Sequence, residues 1–259
     1  MFRLGLSQRR WWDFLITMTE REIKSKYKLS LLGVFWIVLN PIIQMVVIGF
    51  IFKFFTLLRT ENYLLYLFSG LVVWNFFSSS VSRSTPAVVN ERFLLKKAIF
   101  PRETIVIAII LSNFVQLLIS ILLMVPMIFM TGIKINLLAL WYLPICLISL
   151  LLFTLGCCLI FASLNVKYRD TNFAINFLMS IWFYATPVIY VLAMLPNKVS
   201  RWLYLNPMTG LLEFFRWSVL GWRVENWSLV IGDIVVGLVI FGVGSYFFNK
   251  MSLDFDDWI

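Results

Sequence analysis

Few side chains in this 259-residue sequence are equipped for covalent chemistry. It has no histidine and no His, Cys and acid cluster, which removes the commonest general-base and metal options. No Gly-x-x-x-x-Gly-Lys-Ser/Thr stretch occurs, so this chain has no phosphate loop with which to bind ATP. Cys146, Cys157 and Cys158 share one apolar run and read as packing residues, not as a metal or disulfide site. Asp233 alone is ionisable deep within a long apolar run. It has either a structural pairing or snorkelling role or a proton-relay role, and proton-coupled carriers generally need more than one such group. What remains is hydrogen bonding. Asn172, Asn176, Ser180 and Tyr184 recur at spacing four, flanked by Phe173 and Phe177, and so share one helix face. Asn40 and Gln44 repeat that spacing, with Trp36 one turn earlier, whereas Asn113 and Gln116 read as polar groups that bridge helices.

The elements that must carry these residues are membrane helices. No charge occurs between Lys28 and Lys53, from Asn62 to Ser82, from Thr104 to Ile133, from Ile135 to Val166 or from Thr171 to Asn197. Each run reaches the roughly 20 apolar residues that a helix needs to cross about 30 Å of hydrocarbon. A sixth span, Trp227 to Phe248, contains Asp233 about 9 Å from its outer end and is flanked by Asn226 and by Asn249-Lys250. Composition agrees, with 61% hydrophobic and 14% charged residues and a mean hydropathy of +0.90. Six spans put both termini on one side. With the termini inside, 15 of the 22 Lys and Arg fall inside and 7 outside, so both ends are predicted cytoplasmic. The net charge of +9 is then a topology signal and an attraction to anionic lipid, with no reason to invoke nucleic acid. The apolar island Phe14 to Met18 is too short for a cleavable signal peptide, so the first span is expected to act as the insertion signal.

Three segments outside the spans carry pattern. Before the first span, Asp13, Thr17, Glu20, Arg21, Lys24 and Lys28 alternate at helical spacing with Trp12, Leu15, Ile16, Thr19, Ile23 and Tyr27. This predicts an amphipathic interface helix over residues 1–28, ahead of a membrane domain over 29–259. Between spans two and three, Ser84 or Thr85 is expected to cap a short helix from Ala87 to Phe100, with Pro86 in its first turn and Pro101 as its stop. That helix is more apolar than a solvated loop requires and wants a cleft to sit in. In the last outside loop, Asn206 and Pro207 start a second short helix running to about Leu220, with Glu213 and Arg216 spaced to pair. Two helical segments there are expected to dip back into the outer membrane half as an outer gate formed by Asn206, Pro207, Glu213 and Arg216.

The residues Glu20 to Lys28, Leu32-Gly33-Val34-Phe35-Trp36 and Leu39-Asn40-Pro41 form the first part of a larger pattern. Leu94-Leu95-Lys96-Lys97, Phe100-Pro101-Arg102-Glu103 and Tyr168-Arg169-Asp170 follow in order, and then Thr186-Pro187-Val188-Ile189-Tyr190 and Leu205 to Leu211. Together they resemble the membrane subunits of ABC-2 type polysaccharide exporters, the group containing the O-antigen and teichoic acid exporters, along the whole chain. Capsule exporters look like more distant relatives. The resemblance implies an all-α, six-helix permease acting as a homodimer. It implies a multi-pass protein of the bacterial cytoplasmic (inner) membrane, whose partner is a cytoplasmic ABC ATPase that holds ATP and Mg. It places Asn90, Glu91, Arg92, Phe93, Lys96 and Lys97 in or beside the ATPase cleft, with Arg21, Lys24 and Lys28 near the same contact. The implied cargo is a lipid-linked polysaccharide, most often carried on undecaprenyl diphosphate.

A glycan offers hydroxyls on one edge and C–H surface on another, so its path needs hydrogen-bonding groups and aromatic faces. The two helix faces noted first, Trp36, Asn40 and Gln44 with Asn172, Phe173, Asn176, Phe177, Ser180 and Tyr184, are the conduit candidates. The rivals are an ABC-2 permease for small hydrophobic compounds and a membrane-embedded glycosyl or acyl transferase. The latter would be expected to show acids or histidines clustered at a membrane face, which this sequence does not.

Overall fold

The charge-free runs become helices in a computed structural model of the chain. It describes residues 8–28, 33, 35–55, 62–97, 100–133, 136–192, 195–224 and 226–258. Arg59 and Lys134, counted above for orientation, lie outside the described residues, as do residues 1–7 of the interface helix. Helix α1 (Gln8–Tyr27) precedes α2 (Phe35–Phe55) and α3 (Tyr63–Ser84). Two short helices follow, α4 (Ala87–Asn90) and α5 (Arg92–Lys97), and then α6 (Glu103–Thr131). The rest of the chain forms α7 (Leu137–Leu140), α8 (Leu143–Lys167), α9 (Thr171–Tyr184), α10 (Asn197–Leu203), α11 (Pro207–Leu220), α12 (Trp227–Met251) and α13 (Phe255–Trp258). Among the described residues, five helices are long and apolar enough to cross a membrane: α2, α3, α6, α8 and α12. The chain is a multi-pass membrane protein.

The expected fifth spanning helix differs. Helix α9 has 14 residues and covers about 21 Å, short of the roughly 30 Å core. Pro187 ends the helical run, because it lacks an N–H and disfavours helix at the residue before it. Ala185 to Leu192 continue without an α-helix. The chain nevertheless returns to the far end. A side chain at Gly237 would touch Phe153 and one at Gly156 would meet the backbone of Ile240, so α8 and α12 run in the same direction. Everything between the end of α8 and the start of α12 must therefore lead back to the end where α8 began.

One end of the bundle gathers basic groups. Arg83 pairs with Glu22, Arg21 with Glu91, Arg102 donates to the Ser252 carbonyl, and the Lys167 ammonium lies 5.3 Å from the Trp258 ring centre. The described parts of both chain ends thus sit together. The opposite end carries an aromatic cluster in which the Trp217 ring lies 5.3 Å from Tyr142 and 4.7 Å from Trp227. A large core runs along α3, α6, α8 and α11. Cys146, Cys157 and Cys158 are buried in that core.

Helix α1 is docked as well as amphipathic. Leu15 and Met18 are buried against Phe100, Ile105, Ala108 and Ile109, and the Phe14 and Phe100 rings are 4.7 Å apart. Lys26, three turns further along α1, reaches Asn113, so α1 follows the first turns of α6. Its Trp12 and Ile16 remain exposed as an apolar edge.

Candidate functional site

The segment between α3 and α6 is where the basic end projects outward. Two local expectations are corrected there. Ser84 and Thr85 do not cap the following helix; their hydroxyls bond back to the carbonyls of Ser80 and Val81 at 2.6 and 2.7 Å and finish α3. A single helix over Ala87 to Phe100 is also replaced by two, because Glu91 leaves helical geometry at φ −91°, ψ 21° and breaks α4 from α5. The break turns Glu91 toward α1, where it pairs with Arg21. Asn90, Arg92, Phe93 and Lys96 are exposed, and Phe93 is 66% accessible with the Arg92 guanidinium 5.0 Å from its ring centre. Lys24, paired with Glu20 at 3.0 Å, is exposed on α1 and Lys28 is exposed just past its end, while the Lys97 side chain lies outside the described residues. Arg21, Glu91 and Phe93 thus come from two segments onto one surface, an exposed aromatic ringed by charge of the sort that anchors a protein contact.

The conduit candidates part company. Trp36, Asn40 and Gln44 line a groove of about 540 Å³ with Asn75, Ser78 and Ser79 of α3 and Asn113, Gln116 and Ser120 of α6. Asn75 donates to Gln44 at 2.9 Å, and Asn113 donates to Ser80 at 3.0 Å. Asn113 does bridge helices, and it also faces the groove. The α9 face is elsewhere: Phe173, Asn176, Phe177, Ser180 and Tyr184 are exposed on the outside of the subunit, with Asn172 half-buried at the start of the row. Within one subunit the two faces form no common path. Sequence reasoning missed the α3 share of the groove. Asn75, Ser78 and Ser79 have helical spacing only with one another, and their common neighbourhood with Asn40 is set by packing.

The third cluster surrounds the non-helical backbone after α9. Buried carbonyls there have no helical partner, and lipid supplies none. Arg216 of α11, 4% exposed, donates to the carbonyls of Pro187 at 2.9 Å, Val188 at 3.2 Å and Tyr66 at 3.3 Å, and to the Ser69 hydroxyl at 3.2 Å. Its guanidinium also stacks 3.5 Å from the Tyr66 ring centre. The hydroxyls of Tyr63 and Tyr66 reach the carbonyls of Ile189 and Tyr190 at 2.9 and 2.8 Å. Arg216, expected to pair with Glu213, sends its donors to two other segments, α3 and the backbone at Pro187 and Val188, and Glu213 accepts from the Tyr204 hydroxyl. As expected, Asn206 caps α11 by accepting from the Met208 N–H at 3.1 Å, with Pro207 in the first turn and the left-handed Gly221 (φ 68°) as its stop. Asn206 also accepts from Trp182 and donates to Thr186, tying α9 to the cap. Asp233 is buried and accepts from the Gly210 N–H at 2.8 Å, a carboxylate at the positive end of α11.

The sequence is similar to those of known proteins. Residues 14–220 match the model of the ABC-2 type transporter family, and the chain belongs to that family. It is 30% identical over 247 residues to the O-antigen export system permease protein RfbA of Klebsiella pneumoniae, covering 94% of this chain and 93% of that one. The Myxococcus xanthus protein of the same name is 28% identical across the full length of both chains. The Escherichia coli polysialic acid transport protein KpsM is 23% identical over 77% of this chain and 78% of its own. The chain is thus a transporter subunit of membrane helices.

Proposed function

We propose that this chain is the permease subunit of an exporter that moves a lipid-linked polysaccharide, of the O-antigen class, out across the bacterial inner membrane. The observation that carries this reading is collinear similarity, end to end, with permeases named for O-antigen export. The polar groove supports it, since a row of amides and hydroxyls beside Trp36 suits a sugar chain better than an apolar drug. A cytoplasmic ABC ATPase supplies the energy and holds ATP and Mg. The basic end of the bundle faces the cytosol, as the excess of Lys and Arg on the inside segments requires. Two copies associate through the apolar faces of α2 and α9, which leave Phe35, Val47, Phe50, Phe173 and Phe177 uncovered in one subunit and bring the two conduit faces together across the dimer. Helix α9 and the Arg216-held backbone after it make the sixth crossing, and α10 and α11 dip into the outer half as the gate. The carrier is undecaprenyl diphosphate.

Motion begins at α4 and α5. The ATPase cleft grips Phe93 and its charged neighbours, and Arg21–Glu91 and Arg83–Glu22 make α1 move with them. Helix α3 joins this contact to the other end of the bundle, where Tyr63 and Tyr66 hold the segment after Pro187 and Ser69 accepts from Arg216. A rigid shift of α3 therefore reaches the gate. Phe93→Ala is expected to cut ATP-driven export about tenfold or more while leaving membrane insertion unchanged, as truncating an aromatic anchor does. Export assayed in cells lacking the native permease, beside membrane levels of the variant, checks this.

The function itself is tested by ATPase stimulation. The reconstituted complex of permease and ATPase should be stimulated by lipid-linked polysaccharide and not by small hydrophobic compounds. Stimulation by the compounds alone would transfer the chain to the drug-permease class.

A further inference from the structure

At the edge of the groove two cations adjoin a neutral lining, Lys26 through its bond to the lining residue Asn113 and Arg83 through its place after Ser79 on α3. Lys26 of α1 is half-buried and its ammonium donates to the Asn113 carbonyl oxygen at 2.6 Å. Among the described residues no carboxylate lies within 4.0 Å of it. Arg83, one helical turn beyond Ser79 on α3, gives Nη2 to Glu22 at 2.7 Å, but its Nη1 is buried with no hydrogen-bond partner among the described residues. The groove itself is lined by amides, hydroxyls and apolar groups without an acid. A partly desolvated ammonium held only by a neutral amide, beside an orphaned guanidinium nitrogen, leaves one positive charge uncompensated.

We propose that Lys26, with Arg83 Nη1 and the Asn113 and Ser79 side chains, binds a phosphate group of a lipid-borne ligand at the cytoplasmic mouth of the groove. A tetrahedral oxyanion answers each feature. It presents several acceptor oxygens to donors carried by α1, α3 and α6, and charge-assisted bonds of this kind are roughly twice as strong as neutral ones. The depth fits too. Asn113 lies ten residues into α6 and Arg83 in the last turn of α3, which places the cations near the inner membrane boundary, where lipid phosphates lie. Two sources share that chemistry, the phosphate anchor of a lipid-linked cargo and the headgroup of a bulk anionic phospholipid. Lys26 is a binding residue here, distinct from the exposed Arg21 and Lys24 of the same helix and from Lys28 after it.

The test uses the whole complex of permease and ATPase in phosphatidylcholine nanodiscs, with farnesyl diphosphate as the probe and farnesol as the uncharged control. Farnesyl diphosphate should bind saturably. Lys26→Gln should weaken it about tenfold or more, with farnesol unaffected, and Lys26→Arg should restore most of the affinity. Asn113→Asp, which leaves Lys26 in place and gives it an internal counter-charge, should weaken the probe as well; it guards against a Lys26→Gln variant that fails to assemble. Doping the discs with phosphatidylglycerol separates the sources. Competition at low mole fraction assigns the site to bulk lipid, and its absence assigns it to the cargo; either keeps the phosphate site. Farnesyl diphosphate that binds equally to the unsubstituted and Lys26→Gln complexes, or to neither, would overturn the proposal. The inference rests on the export reading only for the source of the phosphate. Transport lost with diphosphate binding intact would refute that reading alone, and the reverse would refute this site alone.

Discussion

Arg216→Met should leave the end of the bundle opposite the basic groups unable to hold its shape and should abolish export. The methionine fills similar volume, so the loss is not one of packing. It strands the carbonyls of Pro187 and Val188, which Arg216 Nη1 and Nη2 now satisfy at 2.9 and 3.2 Å. Each buried acceptor without a donor costs roughly 1–3 kcal/mol. No water is at hand at that depth to take over, and a switch to helix is barred by Pro187. The expected result is a lower unfolding temperature of the detergent-purified protein and labelling of a cysteine placed at Tyr190 that the parent protects. Arg216→Lys should recover only part of the loss, because one ammonium cannot span acceptors that a planar guanidinium reaches together. An Arg216→Met protein that melts with the parent and exports normally would show that the backbone after α9 is held by something else.

Gly156→Val should separate α8 from α12. A Cβ at Gly156 would stand 2.6 Å from the Ile240 carbonyl oxygen and as close to the Phe241 nitrogen, and backbone cannot swing aside as a side chain does. Small residues that let helix backbones approach are the usual device of packing inside lipid, where apolar burial gives no drive toward association. Forcing extra methyl groups into such a contact costs about 1–3 kcal/mol. Gly156→Ala should cost less than Gly156→Val, and substitution at Gly242, which faces open space, should cost little. Thermal denaturation of the three purified variants orders them. Equal stability of all three would mean that the close crossing contributes nothing.

Much of the fold was legible in the sequence, because the signal for a spanning helix is local: about 20 residues without charge admit few alternatives. The cap at Asn206 was equally local. The fifth span misled because hydropathy measures only whether a segment tolerates lipid, and Ala185 to Leu192 are as apolar as a helix would be. What keeps them from being one is Pro187, and what allows it is Arg216, 29 residues away, together with tyrosines on α3. No spacing rule connects these. The apolar and charged surface around Phe93 was visible as composition, yet the partner of Glu91 was not, since Arg21 lies 70 residues earlier. The groove was half visible. Asn40 and Gln44 declared themselves by period, while Asn75, Asn113 and Lys26 joined them only through the packing of α1, α2, α3 and α6.

Translocation measured directly decides the central claim. Permease and ATPase reconstituted in vesicles, with fluorescent lipid-linked polysaccharide on the face where the ATPase is bound, should move the polymer to the opposite face only when ATP is hydrolysed. The rate should fall when Phe93 is replaced by alanine. Polymer that stays on the loading face while ATP is consumed, or that crosses equally well without ATP, would contradict an ATP-driven export path through this chain.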